Sequence, residues 1–190
     1  PDRTHERLGA HVSTQGGVQT APGRGVEIGA TAIQLFTKTP NQWREPTLEP
    51  GTIAAFREAY DASGLNGVVS HDSYLINLAS PDPALTERSI ASFAAELTRC
   101  HQLGIPAVVS HPGNFLDERE AGIQRNARAY AEALRHLVTN AVDHGCEPSS
   151  ARLSAGKPAR ATVTVVARQA GSTVVLEVAD DGAGIDDDAL

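Results

Sequence analysis

With 190 residues, the chain has room for one domain or two small ones, and its 41% apolar content suffices for a core that 4% aromatics make mainly aliphatic. A net charge of -7 excludes broad electrostatic adhesion to nucleic acid, because neutralising phosphates needs clustered Lys and Arg, though a local basic loop stays open. Two cysteines, Cys100 and Cys146, exclude a disulfide framework and point to a reducing compartment, and no apolar run approaches the ~20 residues that span a bilayer, so a soluble cytoplasmic chain without membrane contact is expected.

In chain order, Leu8 to Val12, Ala32 to Phe36, Gly67 to His71 and Ile105 to His111 read as buried strands. Between them 23–30, 51–63, 84–103 and 118–135 carry helical spacing or composition. Strands alternating with helices predict βαβ units and a parallel sheet, here about four βα units or half of an eight-stranded barrel. Ile123, Ala127, Tyr130, Leu134, Leu137, Val138, Ala141 and Val142 form an apolar stripe that carries the fourth helix onward without a break. Residues 147–160, rich in Pro, Ser, Gly and Ala, read as a loop. Ala161 to Ala167 and Thr173 to Val178 then alternate as two strands around a short turn, before an acidic, Gly-rich segment. Residue 1 is not Met and the chain stops soon after that segment, so both ends read as cut.

His71 and His111 take equivalent places at the ends of successive predicted strands, the rim where barrel sites form, so their imidazoles could converge on one metal ion. The alternative is a neutral imidazole hydrogen-bonded to backbone. Lys38 reads either as a solvated loop charge or as a phosphate contact, and Trp43 as a packing anchor or a base-stacker.

The words Leu8-Gly9-Ala10-His11-Val12-Ser13, Gln34-Leu35-Phe36-Thr37-Lys38 with Gln42-Trp43, His71-Asp72-Ser73-Tyr74-Leu75-Ile76-Asn77-Leu78-Ala79 and His111-Pro112-Gly113 appear in this order. Over residues 7 to 130 they resemble the N-terminal half of the endonuclease IV family of apurinic/apyrimidinic endonucleases. The resemblance implies a (β/α)8 TIM barrel with a three-zinc cluster that cleaves DNA beside a baseless sugar. It implies that His71 and His111 bind zinc and that Thr37, Lys38, Gln42, Trp43 and Tyr74 meet DNA. It also implies further carboxylate and His ligands on later strands. After the fourth helix, Val138-Thr139-Asn140-Ala141-Val142 continues the helix instead of supplying the next Glu. A weak or partial zinc site without turnover is therefore expected. A sugar isomerase also sets metals at strand ends, but Gln34 to Lys38 and His71 to Ala79 favour the DNA-repair branch.

Asn140 stands three residues before Asp143-His144-Gly145, and Asp180-Asp181-Gly182-Ala183-Gly184 follows a predicted strand. Residues 134 to 190 resemble part of the ATP-binding domain of chemotaxis-type sensor histidine kinases, an α/β sandwich. The resemblance implies that Asn140, Asp143 and His144 lie near Mg-ATP, and that Asp180, Gly182 and Gly184 read the purine. The expected protein is thus α/β, with 1–133 a half TIM barrel and 134–190 a partial ATP-binding domain. It is either a truncated, inactive repair endonuclease, a nucleotide-binding signalling fragment, or a non-functional join of the two near residues 130 to 136. Half a barrel leaves parallel strand edges unpaired, which predicts marginal stability, self-association through those edges, or their pairing with the 161–178 hairpin.

Overall fold

The computed structural model describes residues 8–140, 147–170 and 173–182. The elements run β1 (Gly9–His11), α1 (Ala21–Glu27), β2 (Ala32–Leu35), α2 (Pro50–Ser63), β3 (Val68–His71), α3 (Pro83–Leu103), β4 (Val108–Ser110), α4 (Arg119–Asn140), α5 (Ser149–Ser154), β5 (Val163–Ala170) and β6 (Thr173–Asp180). Strands β1 to β4 pair parallel in chain order, with His11 opposite Gln34, Leu35 opposite Ser70 and His71 opposite Val109. The four expected βα units are present.

The strand period of two sorts the side chains. Ile33, Leu35, Val68, Ser70, Val108 and Ser110 are buried, while Ala32, Gln34, Val69 and Val109 on the other face are only partly covered. Helix α3 shows how local sequence sets an element. The Asp82 carboxylate accepts from the amides of Ala84 and Leu85, Pro83 fills the first helical position, and Gly104 at φ 72° ends the helix in the left-handed region. Phe93, Leu97, Cys100 and Leu103 face the core, where Phe93 meets Tyr130 of α4 edge to face at 5.3 Å.

On α4 the buried line is Gly122, Ala129, Tyr130 and Ala133, with Leu134 packed against the core, so it shares only part of the stripe read from the sequence. Ile123 and Ala127 are exposed. Small residues centre the contact and let α4 lie close to α3, so the bulkier apolar positions fall at the edge of the face.

Strand β6 pairs antiparallel with β4, with Val108 opposite Leu176 and Ser110 opposite Val174, and β5 pairs with β6 in turn. The order is β1-β2-β3-β4-β6-β5 in one sheet. Of the three expected fates of the open β4 edge, pairing with the hairpin is the one observed. It satisfies a row of amides and carbonyls that would otherwise face water or another chain. The hairpin therefore extends the barrel strands' sheet rather than building a layer of its own. Residues 147–160 also differ from expectation, since 149–154 form α5. Its anchor is the buried Arg152, whose guanidinium donates to the carbonyls of Pro158 and Asp181 and pairs with Glu147 and Asp181. Composition alone reads such a stretch as loop because the stabilising bonds come from one side chain. No helix among the described residues is long and apolar enough to cross a membrane.

Candidate functional site

The carboxyl ends of β1 to β4 carry a row of rings. His11, the last residue of β1, lies 4.6 Å from the Phe36 ring just past β2; Phe36 lies 5.4 Å from His71 at the end of β3; His71 lies 5.1 Å from His111 just past β4. Tyr74 caps the middle of the row, 5.2 Å from Phe36 and 5.7 Å from His71, and is itself 61% exposed. Phe36 is the hub, a role its place in an apolar strand did not announce.

The two expected metal residues therefore do converge. His71 Nδ1 lies 2.8 Å from the Asp72 carbonyl, which fixes the ring and leaves Nε2 as its open nitrogen. Burial holds the His71 imidazole below its usual range, aided by the positive potential of His111 and His11 and opposed by the Asp72 backbone. A neutral, oriented imidazole is the form that ligates zinc. His11 Nδ1 meets Gln34 Oε1 at 3.0 Å, across the β1–β2 pair. Among the described residues no group of three or more His, Cys, Asp or Glu could hold a metal ion. The donor set fits half the shell of one zinc and does not fit a three-zinc cluster.

Beneath the row sits Asp72, buried, with its Oδ2 accepting from Ser110 Oγ at 2.5 Å while Tyr130 donates to the same hydroxyl at 3.2 Å. Burial pushes the Asp72 carboxyl up to about 7, the Ser110 bond resists this, and Glu96 adds to it. Its Oδ1 is 3.6 Å from His71 Nδ1, but burial drives both groups toward neutrality, so the contact is not an ion pair near neutral pH.

A second buried set underlies the 37–45 loop. Glu96, 1% exposed on α3, accepts from Ser70 Oγ, from Thr37 Oγ1 at 2.6 Å and from Arg99 Nη2 at 2.7 Å. Arg99 reaches on to Thr37 Oγ1 at 2.8 Å and Glu45 Oε2 at 2.8 Å. Lys38, 8% exposed, donates to Glu45 Oε1 at 2.6 Å, the Gln42 carbonyl at 2.8 Å and Ser92 Oγ at 3.3 Å. Thr37 and Lys38, both expected to meet DNA, are buried instead. Both side chains are internal and fully engaged, so their place is under the loop. Gln42 is exposed and Trp43 half-buried, with the Arg88 guanidinium 4.6 Å above the indole. Trp43 thus has one partner already on its ring.

The rim loops are stitched together. Ser73 Oγ donates to the Pro40 carbonyl at 2.6 Å, and Asn77 bridges to the Asn114 backbone through both amide atoms, at 3.0 and 2.9 Å. Gly113 of the His-Pro-Gly word is required here, since at φ 85° an added Cβ would lie 2.1 Å from Asn77 Oδ1. Arg125 completes the stitch through the carbonyls of Ala79 and Phe115 and the carboxylate of Asp117.

In the C-terminal portion, Asn140 is the last residue of α4 and Asp180 the last of β6, paired with Val163. Asp143, His144 and Gly184 lie outside the described residues. The turn after β6 is anchored by Asp181, which sequence reasoning passed over: it pairs with Arg152 Nη2 at 2.9 Å and accepts from the Thr162 amide at 2.8 Å. The Gly182 carbonyl accepts from Lys157 Nζ at 2.8 Å.

Parallel strands with helices between them, and a site row at their carboxyl ends, define the class: a TIM-barrel-type α/β chain. The family described as xylose isomerase-like TIM barrel matches residues 24–162, and the chain belongs to it. It is 45% identical over 127 residues to "Probable endonuclease 4" of Geobacter sulfurreducens, covering 66% of this chain and 43% of the relative. It is 46% identical over 136 residues to the protein of the same name in Halorhodospira halophila, covering 72% and 45%. The solved endonuclease IV of Thermus thermophilus superposes with a TM-score of 0.61 at 37% identity, over 68% of this chain and 46% of that one. A D-psicose 3-epimerase from Clostridium cellulolyticum shares the fold alone, at 14% identity and a TM-score of 0.51. The chain spans less than half the length of the curated relatives it matches.

Proposed function

We propose that the strand-end row is part of a zinc-dependent site for DNA containing abasic lesions, in a chain that binds such DNA without turning it over. The observation that carries this is the convergence of His71 and His111 beside an exposed Tyr74 at one sheet end. The two imidazoles hold one zinc weakly, and a bound zinc there would polarise a phosphate oxygen. Tyr74 stacks where a base is missing, because a ring face accepts any neighbouring base. Gln42, exposed on the 37–45 loop, donates and accepts hydrogen bonds to DNA. Phosphodiester hydrolysis by a multinuclear centre needs oxygen donors beyond the described set, which supports the lack of turnover. The endonuclease relatives support the substrate class.

Titrating the zinc-free chain with zinc in a calorimeter tests the site: one weak equivalent is expected, lost in His71→Ala and in His111→Ala. Zinc binding that survives both substitutions, or multiple-turnover cleavage of an abasic duplex, overturns the reading.

A second reading concerns residues 134–190 as a remnant of an ATP-binding domain, with Asn140, Asp143 and His144 near Mg-ATP and Asp180, Gly182 and Gly184 at the purine. It rests on the sequence resemblance of residues 134–190 alone. Mg-ATP binding that disappears in Asp180→Asn supports it; no heat on Mg-ATP titration ends it. The division of the chain at 133/134 belongs to this reading.

A further inference from the structure

We propose that Lys38 and Glu45 form a clasp that holds the 37–45 loop in its DNA-ready shape, making Lys38 a positioning residue for Gln42 and Trp43. The inference rests on the DNA reading above for its purpose, but its geometry is independent of that reading.

The loop is closed on itself by one ammonium. Lys38 Nζ binds the Gln42 carbonyl and Glu45 Oε1, so both ends of the Gln42–Glu45 segment are tied to the same atom. The clasp is fastened to the scaffold through Ser92 Oγ, which donates to Glu45 Oε1 at 2.6 Å, and through Arg99 on Glu45 Oε2. Arg99 and Ser92 both belong to α3, the helix whose Glu96 accepts from Ser70 of β3 and from Thr37 just past β2. Two cations, Lys38 and Arg99, face two anions, Glu45 and Glu96, so the set is balanced as formal charges. Burying such charges does little for net stability compared with apolar residues of the same volume, and what it supplies is one definite geometry.

That geometry is spent on the rim. The backbone of Gln42 is pinned while its side chain stays exposed, and Trp43 is seated against Arg88. Ser73 Oγ fastens Pro40 of the same loop to the segment that carries Tyr74. Gln42, Trp43 and Tyr74 therefore arrive at DNA with their loops already ordered, and binding does not have to supply that ordering.

The chain's single tryptophan makes the test direct, since all indole fluorescence comes from Trp43. The Lys38→Met variant keeps an apolar stem of similar length, and Glu45 retains Arg99 and Ser92. Expected in the free variant is a rise of about twofold in the acrylamide quenching constant, with an abasic-duplex affinity about tenfold weaker and an unchanged far-ultraviolet circular dichroism spectrum. Quenching equal to the parent chain overturns the clasp. Raised quenching with unchanged DNA affinity overturns its positioning role. If the parent chain binds no abasic duplex, the DNA reading falls while quenching still decides the clasp. Should Lys38→Met fail to fold, Glu45→Gln, at a half-buried and isosteric position, gives the same readout.

Discussion

Both halves of the molecule hang on a buried arginine, yet the two guanidiniums do different things. Arg99 connects α3 to the ends of two strands and to a surface loop, through Glu96, Thr37 and Glu45. Arg152 folds α5 onto its own neighbourhood, through Glu147, Asp181 and the carbonyls of Pro158 and Asp181. The first network holds up a loop whose Gln42 stays exposed and free to act. The second ends on backbone and uses up its polar groups in the turn after β6. A buried ion network marks a site only when it supports groups left over for something else.

The largest effect separates the two. Arg99→Met should destabilise the whole chain by about 3–5 kcal/mol, because Glu96 would stay buried without its cation. Arg152→Met should cost less, because its partners Glu147 and Asp181 keep contact with water, and confine the damage to 147–182. Hydrogen exchange distinguishes them: amides of β2 and β3 should lose protection in the first variant and keep it in the second. Loss of β2 and β3 protection in Arg152→Met would erase the distinction.

Next in size is a pH effect confined to the first half. With its folded carboxyl near 7 and an ordinary value of 3.8, Asp72 keeps a proton in the native state that the unfolded chain has released. The unfolded state then binds fewer protons, so this group makes stability fall as pH rises from about 4 to 7, by at most about 4 kcal/mol, and level off above. His71, lowered by burial, acts with the opposite sign, adding stability as pH rises toward 6.5. Denaturant melts of the zinc-free chain against pH should show the net decline, and Asp72→Asn should leave only the His71 rise. Identical pH slopes in the two proteins would contradict the buried carboxyl.

The smallest effect is chemical. Burial raises the Cys100 thiol well above its usual range, with Glu96 adding to the shift. In a Cys146→Ser background Cys100 should resist a thiol reagent at pH 8 until the chain unfolds. Fast native labelling would mean that α3 opens readily.

The sequence made the parallel half legible because strand endings are local events: apolar runs stop at Phe36, His71 and His111, and these residues fall together at one rim. The hairpin's position was legible as one of three ways to satisfy an open edge. Helix α5 was hidden, since Ser, Ala and Gly composition says nothing of what one arginine can organise. The fate of Thr37 was hidden because its partners lie more than fifty residues away on α3, and that of Lys38 because Ser92 of α3 and the folding back of its own loop onto it are both tertiary events. A signal existed there. Ser92, Glu96 and Arg99 recur at steps of four and three among Phe93, Leu97 and Cys100, and polar residues on a buried helix face demand polar partners. Asp72 could have been suspected for the same reason, a carboxylate directly following a buried strand.

At the centre stands the ring row at the strand ends, proposed to recognise a missing base. The measurement that tests it most directly is the ratio of affinities for an abasic and an intact duplex of otherwise identical sequence, by fluorescence anisotropy, in the parent chain and in Tyr74→Ala. The parent chain should favour the abasic duplex by about tenfold, as one stacking contact allows, and Tyr74→Ala should bind both alike. Equal affinity in the parent chain, or a preference that survives Tyr74→Ala, would contradict it.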